Sequence, residues 1–590
     1  MRKRGADTGL LTRLFFRLLP LQVLLAATGA VNGIISSLFA SNNVGNEAMS
    51  AIGLYGPANM FISAVGLMLT GGAVLKCGEY MGRDQVDRTR GIFTASLFAA
   101  AAVAAVSIAA LLIMVVTGLT RGLTNDEAVR GPLNGYIVGQ AAGILPMLLG
   151  QLLSAFLSLE NRKKLSMLAG IVFIFVNLAM NILFVSVLKL GALGLALASS
   201  VGMWAFFGVQ AWYYLSGKSM LKFSRKDLER KDLLDILRVG YPGALCNGYQ
   251  TIRGLVVNML IVKYVGSAGL SSFAASGAIL GIFWAVPAGI QAVSRMLMGV
   301  YLGEEDRSSL KEVMRIGIGK GILIQAAFSA LIILLAEPLT RLYYRDPSQE
   351  VYILTVMGFR ILPLCMMLSV VSMHFTSYAQ ASGKNVLVHT LSVVDGVIGV
   401  AGFSLLLVPA IGMNGVYWAN VLNGVACALV VLVYAWAALR RFPRNLDDLM
   451  VIPDSFGVAA EDRIDISIRE IAGVENVSQQ VIDFCRGHGV DARRSYFAGL
   501  ALEEMAGNVV EHGFRGDDRP HAIDLRVAVK ENDVIMRIND DCLPFDPEER
   551  RQIADPEDGI GNVGIRLAYG CAKEIRHQVI LGLNVTTIRL

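Results

Sequence analysis

The chain has 590 residues, of which 54% are hydrophobic and 17% are charged. This composition, with a mean hydropathy of +0.55, excludes a soluble globular protein of ordinary make-up and indicates a membrane protein. The formal net charge of +5 is modest and falls mainly in short loops between apolar segments, so it indicates membrane orientation and no nucleic-acid partner.

Long apolar segments follow one another from the N-terminus. The sequence predicts about twelve spans, each long enough to cross about 30 Å of hydrocarbon. They lie near 11–40, 49–75, 92–119, 132–158, 165–189, 192–215, 236–264, 270–300, 313–337, 351–380, 387–410 and 413–438. The first begins after a basic stretch and lacks a small-residue cleavage site, so we expect it to be an uncleaved span.

Basic residues concentrate in alternate loops. They precede the first span and follow the second, fourth and sixth, whereas turns such as 41–47 and 189–191 carry almost none. By the positive-inside rule this pattern predicts that both termini lie on the cytoplasmic side. We therefore expect a multi-pass protein of a bacterial inner membrane, surrounded by the lipid bilayer.

The apolar region repeats itself at a fixed offset of 221 residues. The pairs are Val44-Gly45 with Val265-Gly266, Tyr80 and Gly82 with Tyr301 and Gly303, and Gly191 and Gly194 with Gly412 and Gly415. Parallel duplication in a membrane protein is typical of transporters, with the substrate cavity between the halves. The predicted boundaries are 1–219 for an N-terminal six-helix lobe and 220–440 for a C-terminal one.

Several runs within the repeat carry a family resemblance. Residues 31–54, the loop 80–84 and the stretch 191–196 resemble the multidrug and toxic compound extrusion (MATE) family, over about residues 12–438. The resemblance implies a MATE-like antiporter or efflux protein for a small-molecule substrate. It also implies two lobes of six helices that alternate between inward-open and outward-open forms, driven by Na⁺ or H⁺.

The resemblance also points to an ion site in the first lobe. In that family a first-helix carboxylate and partners on the fifth helix commonly bind the cation. The matching positions here are Asn32, Asn177 and Asn181, the last two a helical turn apart. Amides do not take up a proton near neutral pH, but their carbonyl oxygens suit Na⁺. This departure disfavours proton coupling at that place.

Ionisable residues inside predicted spans are candidate functional groups because they are costly in lipid. Arg253 stands opposite Asn32 in the repeat, Arg295 and Arg360 lie in later spans, and Asp395 lies in the eleventh. Two interpretations remain open. One is a structural ion pair, for example of Asp395 with an arginine; the other is a cavity cation such as Arg253 that favours anionic cargo.

Composition changes after residue 438. Residues 441–460 are predicted to be a linker, and 461–590 a soluble α/β domain. The pattern of apolar residues predicts strands near 464–468, 521–530 and 533–539, and helices near 475–487 and 491–513.

Three motifs in this domain suggest nucleotide chemistry. Glu504, Asn508 and His512 are spaced to share one helix face, and Asp540 follows a strand. A glycine-rich run with Gly559, Gly561 and Gly564 precedes a helix, where free N–H groups suit phosphate.

In this order the motifs resemble the histidine-kinase-like (Bergerat) ATPase superfamily, closest to the anti-sigma-factor serine kinases. The resemblance implies an α/β sandwich that binds ATP and Mg²⁺. It implies Asn508 as the Mg²⁺ ligand, Glu504 as the catalytic base and Asp540 as the acceptor for the adenine amino group. His512 and the three glycines complete the implied nucleotide site.

The leading interpretation is a secondary transporter whose cytoplasmic, ATP-binding tail is regulatory and either senses nucleotide or phosphorylates a Ser/Thr residue of a partner protein. The chain lacks a Gly-x4-Gly-Lys-Ser/Thr motif, so the tail is not expected to power transport. Two alternatives remain open. One is a flippase or exporter of an anionic or lipid-linked substrate; the other is a transporter-derived membrane sensor whose tail kinase is the output.

Overall fold

The structure is a computed structural model that describes residues 8–39, 44, 46–83, 85–122, 127–224, 226–458, 461–468, 472–513, 521–530, 533–542 and 569–590. The first lobe is built from long helices joined by short loops. These are α1 (Thr8–Phe39), α2 (Asn46–Gly82), α3 (Val86–Val116), α4 (Glu127–Leu159), α5 (Lys163–Asn181) and α6 (Gly191–Leu215).

The second lobe has more interruptions along its helices. It contains α7 (Arg230–Tyr264), α8 (Ser267–Phe283), α9 (Ala285–Gly303), α10 (Arg307–Arg315), α11 (Ile322–Leu334), α12 (Ala336–Arg341), α13 (Glu350–Ala381), α14 (Asn385–Val393), α15 (Gly399–Ile411) and α16 (Met413–Leu439). Short π-helical turns join α10 to α11 and α14 to α15. Such turns re-aim side chains within an otherwise continuous helix.

Eleven helical rods within the described ranges are long and apolar enough to cross a membrane. The remaining predicted span, 236–264, corresponds to α7, a continuous helix of 35 residues. Its charged first turns, which include Asp232 and Asp235, and its later Arg253 and Lys263 lower its hydropathy below that of the other spans. The prediction of a helical membrane bundle in two parallel repeats is confirmed.

The two lobes meet at the ends of α2 and α9. Gly78 and Gly299 occupy equivalent repeat positions, and a side chain at Gly78 would lie 3.2 Å from the Gly299 carbonyl carbon. One turn later, a side chain at Gly82 would overlap the Val300 carbonyl, and one at Gly303 would overlap the Glu79 carbonyl. Glycine therefore allows the two backbones to touch, in a reciprocal arrangement expected of parallel repeats.

The other end of the bundle is less tightly packed at its described glycines. A side chain at Gly53 or Gly56 of α2, or at Gly248 or Gly254 of α7, would find no atom within 4 Å. Among the described residues, the lobes are thus in contact at the end where α2 and α9 finish, which we call the tail-side end, and the bundle is closed there.

The tail is an α/β sandwich that follows the short helix α17 (Leu446–Met450). It contains β1 (Arg463–Ile468), α18 (Ala472–Gly487), α19 (Ala492–Asn508), β2 (Ile523–Lys530), β3 (Asp533–Asp540), β4 (Glu574–Ile580) and β5 (Leu583–Arg589). The five strands form an antiparallel sheet in the order β1-β2-β3-β5-β4. The tail's helices pack on one face of this sheet, around a core that includes Leu502, Leu525 and Met536.

The second face of the sheet lies against the bundle. In β3, burial alternates, with even-numbered residues buried in the tail core. In β5, Leu583–Ile588 are all buried, because Ile588 packs in the tail core while Leu583 and Val585 pack in the bundle core. The strands and helices expected for the tail are therefore confirmed, whereas the domain boundaries stay a prediction.

Candidate functional site

The end of α19 carries the proposed catalytic and Mg²⁺-binding residues. Asp491 caps the N-terminus of this helix by accepting a hydrogen bond from the Arg494 backbone N–H, and Glu504 and Asn508 lie one turn apart at its other end. The Asn508 side-chain amide donates to the Glu504 carbonyl oxygen at 2.7 Å, which leaves the Asn508 side-chain oxygen as a ligand atom. Both side chains are half-buried, as a site open to a nucleotide requires.

The end of β3 brings Asp540 to the same edge of the tail. The π-helical turn that follows α19 ends at Gly513, where a side chain would lie 2.9 Å from the Cys542 sulfur. Helix end and strand end therefore converge. The glycine positions Gly559, Gly561 and Gly564, and the side chain of His512, lie outside the described residues.

Asp540 is held in place by a residue that sequence reasoning missed. The Asn584 side-chain amide donates to Asp540 Oδ1 at 2.7 Å, and the Cys542 backbone N–H donates to the same oxygen at 3.0 Å. Asn584 is 2% exposed. The available signal in the sequence was the polar residue Asn584 between the apolar residues Leu583 and Val585 of β5. Burial raises the pKa of Asp540 to about 6, and the hydrogen bonds from Asn584 and Cys542 only partly offset that rise.

Nucleotide affinity should therefore depend on pH through Asp540. An adenine amino group donates better to the ionised carboxylate, so binding below pH 6 must also release a proton. We expect the affinity of the full-length protein for ATP to fall about tenfold from pH 7 to pH 5, relative to purine riboside triphosphate. That analogue lacks the amino group but has the same titrating phosphates. A ratio of the two affinities that is independent of pH would contradict this role.

Residues next to Asp540 connect this edge of the tail, where the ends of α19 and β3 converge, to the bundle. Asp541 Oδ2 lies 3.7 Å from Arg13 Nη1 of α1, and Asp541 Oδ1 lies 3.2 Å from His521 Nδ1. Within the part of the chain that the structure describes, His521, Asp541 and Cys542 form one group with metal-ligand chemistry, their ligand atoms lying within 4.8 Å of one another.

Two arginines on the outer face of the tail sheet contact the second lobe. Arg526 and Arg537 are direct neighbours across β2 and β3. Arg526 forms an ion pair with Asp306 and donates to Ser308 at 2.8 Å, while Arg537 Nη1 lies 3.3 Å from Glu304. The tail thus places arginines against Glu304 and Asp306 of the acidic loop after α9.

The ion pair of Arg526 with Asp306 is buried and well satisfied. Burial would by itself raise the pKa of Asp306, but the Arg526 guanidinium and hydrogen bonds from Ser309 lower it to about 2. Burial works in the opposite direction on Arg526, and Asp306 together with Asp465 raises the pKa of that guanidinium. Asp465 completes the shell of Arg526 by accepting from its Nε at 2.6 Å.

The same sheet also contacts the first lobe. Arg537 Nη2 donates to the Gly82 carbonyl at 3.2 Å, and the Gln578 side-chain amide donates to the Met81 carbonyl at 2.7 Å. At the tip of the β4–β5 hairpin, the Leu581 backbone N–H donates to the Leu159 carbonyl at 2.8 Å. The tail therefore bridges the repeat-equivalent loops after α2 and α9.

A cavity of about 400 Å³ lies inside the bundle above this closed end. Helices α1, α2, α4, α5 and α6 of the first lobe supply most of its wall, and α9 of the second lobe supplies the rest. The described residues that line it are Gln22, Leu25, Ala26, Ser63, Leu67, Thr70, Gly71, Val74, Gln151, Ser154, Ala155, Phe173, Met203, Phe206, Ala292, Arg295 and Met296.

The predicted ion-site amides are buried beside this cavity's wall. The Asn181 side-chain amide donates to the Asn177 carbonyl at 2.9 Å, and the Asn177 side-chain amide donates to Ser199 at 3.3 Å. The side-chain oxygen of Asn181 is buried without a hydrogen-bond partner within the described part of the chain. A small cation or water ligand would satisfy it. The Asn32 side chain lies outside the described residues.

Arg253 and Asp395 are neighbours, but their contact differs from a carboxylate ion pair. Arg253 Nη1 donates to the backbone oxygen of Asp395 at 3.1 Å, while the Asp395 carboxylate accepts from Asn423 at 2.8 Å. The π-helical turn Val394–Ile398 places Asp395 in this position. Arg253 is not among the residues that line the 400 Å³ cavity.

The comparisons with known proteins agree with this architecture. The MatE family model matches residues 27–183 and 242–402, one segment in each lobe and together more than half of the chain. The chain belongs to the MatE family. A second model, the histidine kinase-like ATPase domain, matches residues 469–590 and accounts for the tail.

Relatives of this MatE protein are similar over part of their length. The multidrug resistance protein NorM of Vibrio cholerae is 21% identical over 256 residues, which are 42% of this chain and 56% of NorM. The multidrug export protein MepA of Staphylococcus saprophyticus is 18% identical over 300 residues, covering 48% of this chain and 63% of MepA. The chain thus spans little more than half the length of these curated relatives.

Solved structures show the same fold for the bundle. A crystal structure of MATE in complex with MaL6 has a TM-score of 0.68 and 21% identity, covering 76% of this chain and 98% of that one. An outward-facing conformation of a multidrug resistance MATE family transporter has a TM-score of 0.68 and 20% identity, covering 76% of this chain and all of that one.

Proposed function

We propose that this protein is a secondary transporter that moves small molecules by alternating access and that its ATP-binding tail regulates the cycle. The observation that carries the proposal is the contact of one tail sheet with the closed ends of both lobes. The names of NorM and MepA support export of small molecules as the transport activity. The basic residues at the tail-side end support a bacterial inner membrane with both termini in the cytoplasm.

The tail sheet acts on the tail-side end as a clamp. Opening that end separates Gly82 from Gly303, so the sheet must release the loop of one lobe. Undocking exposes Arg526 and Asp306, which are buried as an ion pair in the docked state, and it breaks the hydrogen bonds of Arg537 and Gln578 to the first lobe. The docked tail therefore favours the outward-open form, and its release permits inward opening.

Nucleotide would set the strength of this clamp. In the proposed site, Asn508 binds Mg²⁺ of ATP, Glu504 orients or deprotonates an attacking hydroxyl and Asp540 accepts from adenine. Asp541, which follows Asp540 in the chain, contacts Arg13 of α1, so the proposed nucleotide site is connected to the first lobe through this ion pair. Phosphorylation of a Ser/Thr residue on a regulatory protein is the activity that we propose for Glu504.

The coupling ion is proposed to be Na⁺ or H⁺. The buried Asn177–Asn181 pair, together with Asn32, supplies amide oxygens suited to Na⁺. Asp395 in the second lobe is a carboxylate able to carry a proton, and its contact with Arg253 links it to α7. An imposed Na⁺ gradient and an imposed pH gradient, applied separately to proteoliposomes, distinguish these two ions.

Release of the clamp should accelerate flux. Arg537→Glu places a carboxylate against Glu304 and removes the contact with Gly82. We expect it to raise the flux of fluorescein or rhodamine 123 in inside-out vesicles about tenfold, because closure is then less favoured.

A charge swap and a remote variant provide the controls. Adding Glu304→Arg to the Arg537→Glu variant restores the pair and should return flux toward the wild-type rate. Arg493→Glu makes the same charge change on α19, where Arg493 stacks on Phe497, and should have no effect. Equal flux in all four proteins would refute the clamp. Dye binding without flux in any of them, with altered tail kinase activity, would favour the membrane sensor instead.

A further inference from the structure

Arg253, Arg295 and Arg360 lie well inside long helices of the second lobe, away from the helix ends, and they differ in their partners. Arg253 donates to the Asp395 backbone oxygen, and Arg360 forms an ion pair with Glu337 at 3.2 Å. Arg295 of α9 makes no ion pair or hydrogen bond with any residue in the described ranges, and its Nε is buried without a partner. An unpaired cation inside a membrane protein is costly, so its presence requires a reason.

Arg295 reaches across the lobe interface into the cavity. It comes from the second lobe, whereas α2 of the first lobe faces it with Gly71, at which a side chain would lie 2.9 Å from Arg295 Nη1. The absence of a side chain at Gly71 leaves room for the guanidinium. The Nη atoms therefore face a space of about 400 Å³ that both lobes enclose.

The rest of the lining determines which counter-ion fits. No acidic residue is found among the described residues around this cavity. Leu25, Phe173, Met203 and Phe206 supply apolar surface, and Gln22 and Gln151 supply neutral hydrogen-bonding groups. A volume of about 400 Å³ is within the range of about 300–1,000 Å³ for small-molecule sites.

From this arrangement we propose that the cavity binds amphipathic organic anions, with the acidic group paired to Arg295 and the apolar body against the first lobe. A guanidinium presents a planar pair of donors that matches carboxylate, sulfonate or phosphate in a bidentate manner. The ligand supplies the negative charge that the described lining of the cavity lacks, so the site discriminates against cations. This inference rests on the proposed transport function and names its substrate class.

Two xanthene dyes of opposite charge test the proposal. Fluorescein is an anion and rhodamine 123 a cation, and the ring system is shared. Binding of each dye to the full-length protein in dodecyl maltoside micelles is measured by fluorescence anisotropy. We expect fluorescein to bind at least about tenfold more tightly, Arg295→Gln to remove that preference, and Arg295→Glu to reverse it. Arg360→Gln, a matched intramembrane arginine outside the cavity, should leave the preference intact.

Lipids provide the second arm of the experiment. Competition of fluorescein by added phosphatidylglycerol, but not by phosphatidylcholine, would identify an anionic lipid headgroup as the ligand; no competition would identify a soluble anion. Equal or tighter binding of rhodamine 123, an unchanged preference in Arg295→Gln, or no saturable fluorescein binding together with no lipid competition would overturn the proposal. Binding is measured without flux, so this result is independent of the clamp experiment.

Discussion

Asn508→Ala should lower the affinity of the full-length protein for Mg·ATP by about 100-fold or more. Removing even an outer partner of a bound metal commonly costs about 10–100-fold in affinity, and Asn508 is proposed as a direct ligand. The substitution keeps the helix intact because, among the described residues, the Asn508 side chain donates only to the Glu504 carbonyl of its own helix. Isothermal titration with Mg·ATP measures the effect.

Asn476→Ala is the matched control for this experiment. Asn476 is an exposed residue of α18 that accepts a hydrogen bond from Gln480, one helical turn away. Its removal should leave nucleotide affinity unchanged. If Asn508→Ala binds Mg·ATP as tightly as wild type, the assignment of the α19 end to Mg²⁺ binding is wrong.

Gly303→Leu should prevent closure of the tail-side end. A leucine side chain at this position meets the backbone carbonyl of Glu79, which cannot swing away as a flexible side chain would. The free-energy cost of this overlap exceeds the about 1–3 kcal/mol that overpacking of a core usually costs, because helix α9 itself must move. Spin labels at the exposed positions Asp87 of α3 and Arg315 of α10 report on this opening.

The distance between these two labels, in a protein that keeps no other cysteine, measures the effect of Gly303→Leu. We expect a longer distance than in the wild-type background. Gly208→Leu is the control, because a side chain at Gly208 of α6 would have no atom within 4 Å. An unchanged distance in the Gly303→Leu variant would mean that the α2–α9 contact does not close the bundle.

The sequence predicted the bundle and the tail strands because both depend on local patterns. Apolar segments of span length and the 221-residue offset are visible in any reading of the chain. Alternation likewise identifies β3, whose even-numbered residues face the tail core. The same alternation places Arg537 on the opposite face but does not say what covers that face. The docking of this face on the loops after α2 and α9 is tertiary information.

The sequence favoured a different arginine from the one that lines the cavity, for a similar reason. The sequence places both Arg253 and Arg295 within predicted spans, and the repeat drew attention to Arg253. Only the packing of the lobes shows that Arg253 has a backbone partner and that Arg295 has none among the described residues. Asn584 was missed because a strand pattern records burial and not the carboxylate, here Asp540, that a buried amide must satisfy.

The clamp is tested most directly by the distance between the two lobes at the tail-side end. Spin labels at the exposed positions Asp87 of α3 and Arg315 of α10 report this distance by pulsed electron paramagnetic resonance. We predict a single short distance in the otherwise wild-type protein. Arg537→Glu should add a second, longer population. Identical distance distributions in the two proteins would contradict a tail that holds the lobes together.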